Sequence, residues 1–341
     1  MKIQQRIQAF AALGSRLQAL VAQPTENFER MLRKTEAQNP WFTHANSVKM
    51  ITNVAEMLTE EGLQRWISSY NFPEKQAKTI AVIMAGNIPM VGFHDALCVL
   101  LSGNALTAKL SSKDAVLLPF VFELLVEIAP EFADYIHIET HTLHHFDAII
   151  ATGSNNSARY FDYYFGKYTH IIRKTRNSVA VLTGSETAEE MSAVGRDIFD
   201  YFGLGCRSVS KLYVPRAYDF TKLFDAWEEF GDLAQHNKYM NNYEYNKSIL
   251  LVSATPHFDT GYALFTEHTA YNSAIAVNHF EYYDALEQVS ETLQHDADVL
   301  QCVLSNSAIN GVKILPLGTA QKNTLFDYAD GIDTLEFLIN L

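Results

Sequence analysis

Residues 79–101 read TIAVIMAGNIPMVGFHDALCVLL, and this stretch predicts the fold of the chain. Residues 79–84 are the β-branched and apolar types that favour a buried strand. The segment Gly86-Asn87-Ile88-Pro89 predicts a turn, and an apolar helix follows as far as Leu101. A strand that runs through a turn into a helix is the unit of parallel α/β sheets.

The same alternation continues on both sides of this stretch. Residues 1–70 have helical periodicity, with Asn46 or Ser47 predicted as the cap of a helix over 48–58. Further strands are predicted at 105–110, 136–138, 148–152, 179–182, 212–214, 248–253, 274–277 and 299–304. Helices are predicted over 115–129 and from Ser157 onward. The pattern indicates an α/β protein with two doubly wound domains behind a helical N-terminal lead-in.

Composition limits the classes of function. A chain of 341 residues exceeds what one core usually organises, which favours two domains. The formal net charge of -13 argues against a protein that coats nucleic acid or an anionic membrane. The apolar run within residues 1–23 is interrupted by Gly14-Ser15-Arg16, so it predicts an amphipathic helix rather than a secretion signal. We therefore expect a cytoplasmic protein with no membrane span.

The three cysteines differ in their surroundings. Cys98 and Cys302 lie in apolar runs, where a buried and inert thiol is expected. Cys206 lies in Phe202-Gly203-Leu204-Gly205-Cys206-Arg207-Ser208, where two glycines would allow a substrate carbonyl to approach the backbone closely. This pattern predicts a reactive thiol, although a structural cysteine in a turn would have the same pattern.

Two further patterns leave alternatives open. The segment Gly153-Ser154-Asn155-Asn156-Ser157-Ala158 follows a strand and opens a helix, so its amides could face a phosphate. It is an incomplete dinucleotide motif, and a plain strand-to-helix turn is the alternative. Four histidines, at positions 137, 141, 144 and 145, suggest a metal site, but no Cys or carboxylate stands at ligand spacing. We expect exposed loop histidines and no metal.

Taken together, the motifs resemble the aldehyde dehydrogenase superfamily, and within it the acyl-CoA reductases typified by the fatty-acid reductase of bacterial luminescence (LuxC-like). The resemblance spans roughly residues 80 to 330. Its anchors are Gly86-Asn87-Ile88-Pro89, Lys109-Leu110-Ser111-Ser112-Lys113, Gly153-Ser154, Gly203-Leu204-Gly205-Cys206-Arg207-Ser208-Val209-Ser210-Lys211 and Leu325-Phe326-Asp327-Tyr328. Several motifs in the family's order are more specific than any one of them.

The resemblance implies catalytic roles for two residues. Cys206 matches the family nucleophile, and Asn87 matches the side-chain amide that holds the oxyanion. The implied activity is NADPH-dependent reduction of an acyl thioester, of coenzyme A or an acyl-carrier protein, to an aldehyde. Aldehyde oxidation and a non-catalytic acyl- or nucleotide-binding subunit are the alternatives.

The resemblance also implies cofactor contacts. Lys109 matches the lysine at the adenosine ribose, and Gly153-Ser154 matches the turn that faces the pyrophosphate. Ser112 stands where many NAD-preferring relatives carry a glutamate, which predicts that NADPH serves at least as well as NADH. Glu267 matches the glutamate at the nicotinamide ribose, but the Phe and Pro that normally follow are absent, so an exposed loop glutamate is the alternative.

The implied architecture is a cofactor domain over 1–183, to which 311–341 returns, and a catalytic domain over 184–310. The family's water-activating Glu-Leu-Gly-Gly motif is matched to residues 181–184, which lack a glutamate and so favour acyl reduction. Only a short linker, 71–78, stands where the family's oligomerising hairpin usually begins. The oligomeric state is therefore open between a monomer and a homodimer.

Overall fold

The apolar spacing of the N-terminal region produces a run of helices in the computed structural model, which describes residues 1–73 and 76–341. They are α1 (Ile3–Ala22), α2 (Glu26–Gln38), α3 (His44–Met57) and α4 (Glu60–Ile67). The predicted cap of α3 was wrong, because Thr43 is the cap and its Oγ1 accepts the Asn46 N–H at 3.2 Å. Glu74 and Lys75, within the predicted linker over 71–78, lie outside the described residues.

The strand–turn–helix stretch opens the first sheet as predicted. Its elements are β1 (Thr79–Ile83), α5 (Phe93–Leu101), β2 (Ala105–Lys109), α6 (Leu117–Ile128), β3 (Ile136–Ile138), β4 (Ala148–Thr152), α7 (Asn155–Phe165) and β5 (Thr169–Arg173). Within the described residues, all strands pair in parallel in the order β3-β2-β1-β4-β5. This is the doubly wound order in which the loops at the carboxyl ends of the strands form the binding edge.

The second sheet is built from the following part of the chain. Its elements are β6 (Asn177–Val181), α8 (Ala188–Phe199), β7 (Val209–Pro215), α9 (Phe220–Asp225), α10 (Asn237–Val252), β8 (His257–Asp259), β9 (Leu264–Glu267), β10 (Val277–Tyr283), α11 (Leu286–His295) and β11 (Leu300–Leu304). The order is β11-β6-β7-β10-β9-β8, with only β8 antiparallel among the described strands. The strand predicted at 248–253 was wrong, because these residues continue or follow α10.

The chain divides into two units, Met1–Thr175 with Asn323–Leu341, and Arg176–Lys322. The predicted boundaries at 183/184 and 310/311 differ from this division. Strand β6 is hydrogen-bonded into the second sheet, and only the last residues, with helix α12 (Thr334–Ile339), return to the first unit. No helix in the described part of the chain is long and apolar enough to cross a membrane.

Candidate functional site

The first sheet gathers most of the predicted cofactor residues at one edge. Strands β1, β2 and β4 are parallel neighbours, so the loops that follow them lie at the same end of the sheet. Asn87 lies in the loop after β1, and Gly153-Ser154 follows β4. Lys109 is the last residue of β2, and Ser112 lies in the loop after it. The sequence motifs that suggested a nucleotide therefore converge on the edge where doubly wound sheets bind ligands.

The loop that carries Asn87 is held by a buried carboxylate. Met90 has a left-handed backbone (φ 53°), and its N–H donates to Asp114 Oδ2 at 2.7 Å. Asp114 is 2% exposed, and burial raises the pKa of its carboxyl to about 6. Gly86 packs so closely on the β2 loop that an added Cβ would lie 2.5 Å from Ser111 Oγ. Sequence reasoning did not find Asp114, since its partner lies in a different loop.

Lys109 and Ser112 occupy different positions around the β2 loop. The Lys109 ammonium donates to the carbonyl oxygens of Thr140 and His141, both at 2.6 Å. These bonds use two of its three N–H donors and hold the loop after β3. The Ser112 side chain is exposed, while its carbonyl accepts from Gln38 Nε2 at 2.9 Å. The structure thus leaves Ser112 accessible to a ligand at this edge.

Gly153 and Ser154 form the junction between β4 and α7. Ser154 caps the helix, with its Oγ accepting the Ser157 N–H at 3.2 Å. A Cβ on Gly153 would lie 2.8 Å from Ser157 Cβ and 2.9 Å from the Phe161 ring, so only glycine fits here without movement. The helix N-terminus and its partial positive charge thus stand at the shared edge, as an anion site requires.

Cys206 lies on a turn in the second unit, just before β7. The Ser208 N–H donates to the Gly205 carbonyl at 3.0 Å, and Ser178 Oγ donates to the Cys206 carbonyl at 2.9 Å. The Cys206 residue is exposed, whereas Cys98 and Cys302 are buried, as the sequence predicted. The accessible thiol therefore sits on a backbone that is hydrogen-bonded at both ends of the turn.

The segment before this turn is conformationally strained. Tyr201 and Phe202 have left-handed backbones (φ 54° and 59°), followed by Gly203 at φ 71°. A left-handed residue other than glycine costs roughly 1–2 kcal/mol, which the surrounding packing must offset. The Tyr201 ring is buried, and the Phe202 ring lies 4.3 Å from the ring of His236. The glycines of this segment predicted the turn, but the sequence did not predict the strained backbones of the two aromatic residues before it.

Two sequence matches lie away from the Cys206 turn. Glu267 is exposed at the carboxyl end of β9, in register with Phe280 of β10. Leu182, in the stretch 181–184, donates its N–H to the carbonyl oxygen of Tyr213 on β7. Tyr213 is four residues beyond Val209, the first residue of β7, which is roughly 13 Å along the strand at about 3.3 Å per residue. Cys206 precedes the amino end of β7, so the stretch 181–184 lies beside a part of β7 that is distant from this thiol along the strand. That the missing glutamate favours acyl reduction stays a prediction.

The four histidines lie on β3 or in the loop that follows it, and all four, His137, His141, His144 and His145, are exposed. Among residues 1–73 and 76–341, no group of three His, Cys, Asp or Glu side chains is arranged to hold a metal ion.

One family model and a set of solved structures match the chain. The model of the acyl-CoA reductase (LuxC) family matches residues 20–222. No curated protein sequence matches the chain.

Among solved structures, aldehyde dehydrogenase 21 from Physcomitrella patens, in complex with succinate, has a TM-score of 0.73 at 9% identity, covering 100% of this chain and 84% of that one. An NAD-dependent benzaldehyde dehydrogenase from Corynebacterium glutamicum has a TM-score of 0.64 at 11% identity, covering 89% and 76%. A mutant of aldehyde dehydrogenase C from Pseudomonas syringae, in complex with NAD⁺ and octanal, has a TM-score of 0.62 at 10% identity, covering 89% and 72%. At these identities the likeness shows the fold.

Proposed function

Because the chain belongs to the acyl-CoA reductase (LuxC) family, it is an oxidoreductase that acts on aldehyde or acyl groups, and we propose that it reduces an acyl thioester to the aldehyde through Cys206. The observation that carries this proposal is the exposed Cys206 thiol on a hydrogen-bonded turn, while the other two thiols are buried. The acyl donor is a thioester of coenzyme A or of an acyl-carrier protein.

The chemistry proceeds in two stages at the same sulfur. The Cys206 thiolate attacks the thioester carbonyl, the bond to the carrier sulfur breaks, and the carrier thiol leaves with a proton. Asn87 is the side-chain donor that we assign to the oxyanion. Reduced nicotinamide, when bound, supplies a hydride to the acyl carbon. That transfer would leave an alkoxide bonded to Cys206, and its collapse would break the bond to the Cys206 sulfur, release the aldehyde and return the thiolate.

The first unit fits a nicotinamide dinucleotide. Its sheet has the parallel strand order of nucleotide-binding folds. The capped N-terminus of α7 and the exposed Ser112 lie at the edge of this sheet where such nucleotides bind in this class of fold. We propose NADPH as the cofactor, used at least as well as NADH. Serine at position 112 would not repel a 2′-phosphate, and its hydroxyl can donate a hydrogen bond to it.

Intact-protein mass spectrometry tests the proposal directly. Incubation with an acyl-CoA and no cofactor should add one acyl group, located on Cys206 by peptide mapping. The Cys206→Ser protein should remain unmodified and lack reductase activity, while Cys302→Ser, which changes a buried thiol, should be acylated like wild type.

Three other outcomes would contradict the proposal. No acyl adduct under these conditions would point to a binding subunit. Full reductase activity in Cys206→Ser would exclude the covalent route. Formation of a free acid from an aldehyde and NADP⁺, faster than aldehyde formation from the thioester, would favour aldehyde oxidation.

A further inference from the structure

A buried carboxylate on α8 accepts hydrogen bonds from a loop near the C-terminal end of the second unit. Asp197 is 1% exposed, and its two oxygens accept the N–H groups of Gly318 at 2.6 Å and Ala320 at 2.9 Å. Gly318 has a left-handed backbone (φ 83°), and a Cβ on it would lie 2.8 Å from Ala193 Cβ, so the loop sits directly on the helix. We name residues 318–321 the clamp loop.

The clamp loop in turn holds the Cys206 turn. The Ala320 carbonyl accepts the Arg207 Nε–H at 2.5 Å. Gln321 Nε2 donates to Ser208 Oγ at 3.1 Å, and both side chains are buried. Ser208 Oγ also accepts the Gly205 N–H at 3.3 Å. Arg207 and Ser208, which follow Cys206, are thus bonded directly to the clamp loop, while Gly205, which precedes it, is bonded to Ser208.

These bonds have a physical reason to exist. A buried carboxylate costs free energy unless its oxygens are satisfied, and here two backbone donors satisfy them. The strained residues Tyr201 and Phe202 precede the turn, so without an external restraint the turn would relax toward other conformations. A displacement of about 1 Å at a reacting atom can cost a hundredfold in rate.

We propose that Asp197 is a positioning residue, which holds the Cys206 thiol in its reactive place through the clamp loop. The inference rests on the proposed role of Cys206 as nucleophile. In this proposal Asp197, Gln321 and Ser208 affect the reaction indirectly, because they hold the backbone of the turn that carries Cys206.

Single-turnover acylation by an acyl-CoA tests this role in two nearly isosteric variants. Asp197→Asn replaces one accepting oxygen by a donor that faces a backbone N–H, and Gln321→Glu removes the donor to Ser208. Each variant should acylate Cys206 at least tenfold more slowly, with the half-saturating acyl-CoA concentration changed less than twofold. The double variant should be no slower than the worse single variant, because both substitutions release the same loop.

Ser290→Ala is the matched control. It removes another hydrogen bond of the second unit, from the buried Ser290 Oγ to the carbonyl of the exposed Asn310. Its thermal midpoint should fall while its acylation rate stays at the wild-type value. An equal loss of rate in Ser290→Ala, or independent multiplying losses in the double variant, would overturn the inference.

Amide hydrogen exchange of peptides covering 203–209 separates this inference from the proposed function. Exchange there should be faster in Asp197→Asn and unchanged in Ser290→Ala. Wild-type exchange rates in Asp197→Asn would overturn the inference even if Cys206 is acylated. A wild-type protein that is never acylated would instead remove the proposed function, and with it the positioning role.

Discussion

Ser112 is the residue at which cofactor choice can be tested most directly. Its exposed side chain follows β2 at the edge shared with the α7 N-terminus. Ser112→Glu would place a carboxylate that accepts ribose hydroxyls but repels a 2′-phosphate. We expect the ratio of kcat/KM for NADPH to that for NADH to fall roughly tenfold or more, corresponding to about 1.4 kcal/mol.

Ser15→Glu provides the control for that measurement. It makes the same change of charge at an exposed position of α1, far along the chain from the strand ends. Its cofactor ratio should equal that of wild type. An unchanged ratio in Ser112→Glu, or a wild-type preference for NADH, would show that position 112 does not read the 2′-phosphate.

Single residues also show where sequence reasoning reaches its limit at the site. The exposure of Cys206 could be predicted because two glycines precede it, and the position of Gly153 because a strand and a helix meet there. Asp114 and Asp197 were not recognisable, since each acts on backbone N–H groups of a distant loop, and no spacing along the chain encodes that pairing.

At the scale of elements, periodicity predicted most buried strands and some helices well. Strands β3 and β4 have the predicted bounds, because short apolar runs between turn signals have few alternatives. Residues 248–253 were misread because an apolar run at the end of a helix looks like a strand. Strand β5 was not predicted, because the aromatic-rich helix predicted from Ser157 onward was given no end before it. Helix ends moved where a cap, such as Thr43, lay earlier than expected.

Asp114 links two loops, and its titration should be visible in the stability of the protein. The pKa of its carboxyl is raised from 3.8 to about 6 because burial disfavours the charge. Between these pH values the folded protein holds a proton that the unfolded chain has lost. The free energy of unfolding therefore falls as the pH rises, by about 1.4 kcal/mol per pH unit, and levels off above the folded pKa.

Comparison with Asp114→Asn isolates this effect. Urea unfolding of both proteins between pH 4 and 8 should give a difference in stability that changes over the interval from 3.8 to about 6 and stays constant above it. Asp197, whose pKa is also raised to about 6, titrates in both proteins and cancels. A difference independent of pH would show that Asp114 keeps its charge throughout.

At the scale of the whole molecule, the C-terminal segment belongs to the first unit through side-chain contacts. Tyr328 accepts the Trp66 indole N–H at 2.8 Å, and its hydroxyl lies 2.7 Å from that of Tyr70. Tyr70 donates to Asp333 at 2.6 Å. The return of residues 323–341, which the sequence indicated only by resemblance, is thus fixed by hydrogen bonds to Trp66 of α4 and to Tyr70, which follows that helix.

A buried ion pair joins the last strand of the first sheet to α5, and a hydrogen bond of the same arginine joins this strand to the C-terminal segment. Arg173 Nη1 donates to Asp95 Oδ2 at 2.5 Å, and Nη2 donates to Thr334 Oγ1 at 2.7 Å. The two charged side chains are 3% and 9% exposed, so either one alone would be a buried charge without a partner. Removal of one partner of such a pair typically costs about 3–5 kcal/mol, more than the pair itself contributes.

Arg173→Met should therefore destabilise the first unit by about 3–5 kcal/mol, and the double variant Asp95→Leu/Arg173→Met should recover most of that loss, because it leaves no unpaired charge. Urea unfolding followed by Trp66 fluorescence, in a background without the other tryptophans, would report on this unit. Arg216→Met, which breaks the exposed pair with Asp284, is the matched control and should leave stability nearly unchanged. A double variant as unstable as Arg173→Met would contradict the prediction, as would an equal loss of stability in Arg216→Met.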